Sequence, residues 1–233
     1  MNIYFLVEGK TERIVYPKWL AYFLPELSRV DSPRDAVENN YYLISGGGFP
    51  GILTDHLVNA VDDFNECGSY DYLALVIDGD DLSFQEKTDE VRSFVKDEGL
   101  VIGDDSLKIF PQIVCMETWF LGNKRIYSRN PSDKDVALLS RHYDVSVYDP
   151  EIMPKPNDYV GTLARFHYSY LKAMFRDKNI SYSKSRPGAV CEPSYVRHLV
   201  NRLESEPSCL QSMRHLLGFF ELCKSFGALQ VEA

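Results

Sequence analysis

The chain has 233 residues, 45% hydrophobic and 25% charged, with 25 Lys and Arg against 34 Asp and Glu and a formal net charge of −9. That length buries a sizeable core without disulfides or metal staples. The acidic balance argues against an autonomous, sequence-blind nucleic-acid binder, which lives on neutralising phosphates with a basic surface, and implies weak binding by the chain alone. No apolar run reaches the roughly 18 residues that span a bilayer, so no membrane association is expected. The opening residues mix acids and bases and predict no signal peptide. Cys67, Cys115, Cys191, Cys209 and Cys223 are scattered without CxxC spacing, which reads as reduced thiols of a cytoplasmic protein.

In chain order, Ile3 to Val7 is a continuous apolar run, the mark of a strand covered on both faces. It ends in Glu8-Gly9-Lys10-Thr11-Glu12, a polar turn with Thr11 placed to cap a helix. Ile14, Val15, Trp19, Leu20, Phe23 and Leu24 carry that helix, and Pro17 is placed to break its first turn from the rest. Tyr41 to Ile44 makes a second short strand, and Ser45-Gly46-Gly47-Gly48 turns it into a helix over 52–64. Tyr72 to Ile77 is the cleanest buried strand and stops at Asp78-Gly79-Asp80-Asp81. An amphipathic helix over 83–97 follows, then a strand through 109–115 that stops at Glu117. Such alternation predicts an α/β core over 1–118, a mostly parallel sheet flanked by helices. Beyond it, 137–139, 162–175, 195–203 and 212–226 read as helices among Pro131, Pro150, Pro154 and Pro156. This gives a mainly helical C-terminal lobe over 119–233.

Three predicted strands therefore end in acids: Glu8, then Asp78 and Asp80, then Glu117. In open α/β sheets ligands collect beyond the carboxyl ends of the strands, so these acids are expected to share one crevice. Converged carboxylates need cations, and hard oxygen ligands suit Mg²⁺ or Mn²⁺. Gly79 removes a side chain where a ligand would come close. Each piece also has a plainer reading. Asp-Gly-Asp-Asp is a good turn, Glu8 and Glu12 suit a helix start with Glu12 completing a capping box, and Glu117 suits the first turn of a helix.

Val7-Glu8-Gly9-Lys10-Thr11-Glu12, followed roughly seventy residues on by Val76-Ile77-Asp78-Gly79-Asp80, resembles the Toprim domain. The Glu-Gly-x-x-Glu form is most similar to nucleases of the overcoming-lysogenization-defect (OLD) type and to small stand-alone Toprim proteins of phage-defence operons. The resemblance covers roughly residues 1–120. It implies Glu8, Asp78, Asp80 and Glu117 as metal-binding acids, with Glu12 as a further ligand, across two Mg²⁺ or Mn²⁺ ions. It also implies a late lysine set against the transition-state charge, for which Lys184 is the match, with Arg186 beside it. On this reading the Lys184 loop returns from the helical lobe to the site; by itself Lys184 reads as a solvated loop cation. The implied activity is hydrolysis of phosphodiester bonds in DNA or RNA, by an antiviral effector with a separate ATPase or sensor subunit. No GxxxxGK[ST] occurs in this chain, and homodimerisation is a further expectation.

Gly46-Gly47-Gly48-Phe49-Pro50-Gly51 matches GxGxxG but follows the second strand, so it reads as a tight turn. Its free N–H groups are candidates to touch a substrate phosphate. Asp78-Gly79-Asp80 lies too late in the chain for a haloacid-dehalogenase-type phosphatase. His56, His142, His167, His198 and His215 show no ligand spacing. Tyr159, Phe166, Tyr168, Tyr170 and Phe175, mixed with Arg165, Lys172 and Arg176, read first as a helix with an aromatic core face and a basic outer face; aromatics among cations also suit stacking bases and holding phosphates, and substrate contact is expected here before elsewhere. The competing functions are a metal-dependent phosphotransfer or nucleotide-binding enzyme on a similar sheet, and a Toprim-like module that binds a partner without cutting.

Overall fold

The computed structural model describes residues 1–231. A five-stranded parallel sheet is built from β1 (Asn2–Val7), β2 (Ser28–Arg29), β3 (Asn40–Ser45), β4 (Tyr72–Asp78) and β5 (Leu107–Gln112), in the order β2-β3-β1-β4-β5. β1 is central, with Val7 opposite Ser45 on β3 and Val76 on β4. The helices are α1 (Lys10–Phe23), α2 (Val58–Cys67), α3 (Phe84–Asp97), α4 (Met116–Leu121), α5 (Lys134–His142), α6 (Leu163–Asp177), α7 (Pro193–Ser205) and α8 (Gln211–Val231). The α/β class and the helical C-terminal region are as the sequence predicts. β2 was not read from the sequence: it is two exposed edge residues, too short to carry an alternating pattern.

The chain divides into two compact units. The first comprises residues 1–77, 84–111 and 215 onward, and the second 78–83 and 112–214. The boundary is thus drawn differently from the division at residue 118. In the first unit, Tyr4 and Leu6 of β1 and Leu73, Leu75 and Ile77 of β4 join Leu57, Ala60, Val61 and Val91 in one core on one face of the sheet. Ile3, Phe5 and Val7 are equally buried and point to the opposite face by the two-residue period. There Phe23 of α1 meets Phe220 of α8, and Phe219 meets Tyr72 and Phe110. Cover on both faces is why β1 is an unbroken apolar run from Ile3 to Val7. Each such side chain contributes about 1.5–3 kcal/mol relative to exposure.

α1 runs unbroken through Pro17, against the expectation of a break. Pro17 lies between buried Tyr16 and Trp19, whose packing holds the helix across the lost backbone bond. The helix expected over 52–64 opens as a π-helical segment, Ile52–Leu57, before α2.

The second unit is centred on α4, all six of whose residues are buried. α6 packs along it. Its N-cap is Thr162, whose side chain accepts from Arg165 N at 3.1 Å. Buried Arg202 donates to the carbonyls of Gly122, Val145 and Tyr148, satisfying the oxygen at the C-cap of α4.

Candidate functional site

The first unit carries Glu8, Glu12 and the glycine loop. Glu8 is the first residue past β1 and is half-buried. Its main-chain oxygen accepts from Gly48 N at 3.0 Å and from Ser45 Oγ at 3.3 Å, while Val7 O accepts from Gly46 N at 2.8 Å. Gly47 N donates to Ser45 Oγ at 3.4 Å. The loop is therefore laced to the end of β1, and its amides are directed to the chain's own oxygens. Gly47 and Gly48 sit at φ +72° and +107°, which a side chain would strain. Glu12 is 5% exposed, and its Oε2 lies 2.8 Å from where a Cβ on Gly9 would stand. Gly9 is the N-cap of α1 and Glu12 the third helical residue, so the carboxylate folds back as in a capping box. Thr11, expected as the cap, is instead a buried residue inside the helix.

The second unit carries Asp78, Asp80, Glu117, Lys184 and Arg186. Asp78 closes β4; then Gly79 N donates to Gln112 O at 2.7 Å and Asp80 N to Val114 O at 3.0 Å. A Cβ on Gly79 would stand 3.1 Å from Gln112 O, so it is a backbone carbonyl that comes close there. Asp80 and Val114 have φ of 52° and 63°, and Cys115 N donates to Ile113 O at 3.0 Å to close a three-residue turn about Val114. Aspartate tolerates that region, but for a β-branched valine it is a true outlier, at a cost of about 1–3 kcal/mol. Two positive-φ residues thus hold each other through one hydrogen bond directly after the Asp-Gly-Asp segment.

Glu117 is not at a strand end. β5 stops at Gln112, and Glu117 belongs to the first turn of α4. The apolar letters Ile113 to Cys115 extended the predicted strand, whereas the turn at Val114 ends it. Glu117 is 1% exposed. Its Oε1 accepts from the Tyr182 hydroxyl at 3.0 Å, and its Oε2 forms an ion pair with Lys184 Nζ at 3.7 Å. Lys184 stands on a tight turn in which Arg186 N donates to Ser183 O at 2.9 Å, with the Arg186 side chain exposed. Burial pushes the Tyr182 hydroxyl far above its ordinary value, and the Glu117 charge adds to this.

Cys115 draws these groups together. Burial pushes its thiol well up, the Glu117 and Asp78 carboxylates push it further, and Lys184 opposes them. Asp78, Glu117 and Lys184 therefore lie within electrostatic reach of one buried sulfur. Next to it, Thr118 Oγ1 is 2.8 Å from His167 Nδ1, and His167 Nε2 is 3.0 Å from Met153 O. A carbonyl only accepts, so Nε2 carries the proton and Thr118 donates to Nδ1. Burial lowers this imidazole to about 4, leaving it a neutral structural link at neutral pH. Neither Tyr182 nor Cys115 was singled out in the sequence, and no spacing ties either to Glu117.

The acids offer hard oxygens, the right donor chemistry for Mg²⁺ or Mn²⁺. As arranged, no group of three or more His, Cys, Asp or Glu among the described residues is set to hold a metal ion. Glu117 Oε1 accepts from Tyr182, and Oε2 faces the Lys184 ammonium at 3.7 Å. The donor set thus fits such a cation in kind, and a cation at Glu117 would compete with Lys184 for its charge. Comparison with family models, with curated proteins and with solved structures finds no match to this chain.

Proposed function

We propose that the chain is a divalent-cation-dependent phosphodiesterase acting on nucleic acid. The observation that carries the reading is the buried Glu117 paired with Lys184, in the same unit as the Asp78-Gly79-Asp80 segment that the strained Asp80–Val114 turn pins in place. Paired charges beside a strained backbone recur at functional sites. Asp78, Asp80 and Glu117 would hold Mg²⁺ or Mn²⁺, joined by Glu8 and Glu12 on the strength of the sequence resemblance. The cation would supply water activation and charge for the leaving oxygen. Lys184 is 57% exposed on its side chain, so its ammonium has room to leave Glu117 and meet a phosphate. A separate ATPase or sensor partner, a dimer and an antiviral role belong to the same proposal and rest on resemblance alone.

One observation favours a second reading. A Glu117 already paired with Lys184 suits a Toprim-like module that binds a partner and cuts nothing.

Cleavage of plasmid DNA and of cellular RNA with Mg²⁺, Mn²⁺ or EDTA separates the two. Cutting that EDTA abolishes is expected, reduced by about 10²-fold or more in Glu8→Ala and Asp78→Ala, with folding checked by circular dichroism. Cutting that survives EDTA, or that survives Asp78→Ala, overturns the assignment. A folded protein inert with either metal favours the second reading.

A further inference from the structure

In the second unit, α5 and α6 line an open cleft of about 430 Å³, with Asp135, Leu138 and Leu139 from one helix and Tyr168, Lys172 and Arg176 from the other. That is the size of a small-molecule site. Its charges divide into fixed and available ones. The Arg176 guanidinium is clamped by Asp133 Oδ2 at 2.5 Å and Asp135 Oδ2 at 2.7 Å. Lys172 is exposed, and its Nζ stands 5.4 Å from the Tyr168 ring centre. Lys184 Nζ lies 5.9 Å from the same ring, which is also 6.1 Å from the ring of Tyr182, the hydroxyl donor to Glu117. One aromatic wall of the cleft is therefore shared by two ammonium groups and leads directly to Glu117. Of the aromatics on α6, Phe166, Tyr170 and Phe175 are buried in the core, while Tyr168 and Lys172, four residues apart, face the cleft.

We propose that this cleft holds one nucleotide of a single-stranded nucleic acid, its base between the leucines and Tyr168 and its phosphate against Lys172 and Lys184. The proposal shares its substrate class with the reading above and adds where the strand lies and that it is unpaired. Apolar and aromatic walls recognise the face of a base, which is available only when the base is unstacked, and ammonium groups recognise its phosphate. An apolar peptide would leave the exposed Lys172 unused.

The test is fluorescence anisotropy in EDTA with labelled oligo-dT and oligo-U of about 12 nucleotides. Wild type binds, Lys172→Glu and Lys172→Gln each weaken binding by about tenfold, and Lys172→Gln lowers the salt slope by about 0.7. Tyr168→Leu also weakens it about tenfold, and a duplex competes poorly. Melting curves confirm that each variant is folded. Equal binding by wild type and both Lys172 variants overturns the proposal, as does no binding at all. Competition by duplex DNA or by polyglutamate as strong as that of the single strand also overturns it. Binding that depends on Lys172 without any metal-dependent cleavage keeps the cleft and removes the nuclease. Cleavage and binding that both ignore Lys172 keep the nuclease and remove the cleft.

Discussion

A carboxylate that is 1% exposed must be matched or neutralised, and Glu117 is matched twice, by the Tyr182 hydroxyl and the Lys184 ammonium. Of those partners Lys184 was singled out only through the resemblance, as a lysine for transition-state charge and not as a partner of Glu117. Tyr182 was not, because a contact across 65 residues leaves no local pattern. Glu151 is a second carboxylate that burial governs: it accepts from the hydroxyl of Ser212 and from Ser212 N at 3.1 Å, and burial pushes it up to about 7. The folded chain thus holds this proton more tightly than the unfolded chain. Its contribution is full below the ordinary carboxylate value and is lost as pH rises through about 7. Discounted for partial exposure, the loss is about 2 kcal/mol. Glu151→Gln keeps the acceptor and removes the titration. It is expected to melt about 5 °C above wild type at pH 8, with the gap closing at pH 5 by calorimetry. A gap independent of pH would refute the assignment to Glu151.

At the scale of elements, β1 and β4 were readable because both of their faces are covered, which leaves an uninterrupted apolar run. The end of β5 was not. Ile113, Val114 and Cys115 are as apolar as a strand, and only the positive φ at Val114, held by Asp80, turns the chain into α4. The glycine loop was correctly read as a turn, but its amides looked open to phosphate. In the fold Gly46 and Gly48 bond the last carbonyls of β1 and its successor Glu8, since the π-helical segment must start hard against the sheet. A Cβ on Gly46 would stand 2.6 Å from the Cβ of Ile52, both groups being buried. Gly46→Ala is therefore expected to cost about 2 kcal/mol by urea unfolding, as overpacking does. Gly47→Ala meets no atom within 4 Å and is charged only for its φ of +72°, by about 1 kcal/mol. Reversal of that order would show that Gly46 is not where the helix closes on the sheet.

For the whole molecule, the change in pattern after Glu117 marked where helices take over, yet the compact units are not two successive segments. The first unit takes back residues from 215 onward, and the second takes 78–83. Phe219 and Phe220 fill the sheet face with Phe23, Tyr72 and Phe110, so a fragment ending at residue 118 leaves those side chains exposed. Expressed alone, residues 1–118 should be aggregated or molten, binding a hydrophobic dye and lacking a cooperative thermal transition. A cooperative melt for that fragment would show that the helix bearing Phe219 is dispensable.

The sequence by itself determined the α/β class, the covered strands and the acids after them, because backbone period and burial act on neighbours in the chain. It also supplied carboxylates and, through the resemblance alone, pointed to Lys184, without determining an arrangement. Only the tertiary structure decided that Glu117 starts a buried helix, that Lys184 and Tyr182 match it, and that Tyr168 and Lys172 share a cleft. The Glu117 partners, and the meeting of α5 with α6 that makes the cleft, are contacts between residues dozens of positions apart. They are set by which burial and charge pairing the packed chain can satisfy at once, and no local pattern encodes them.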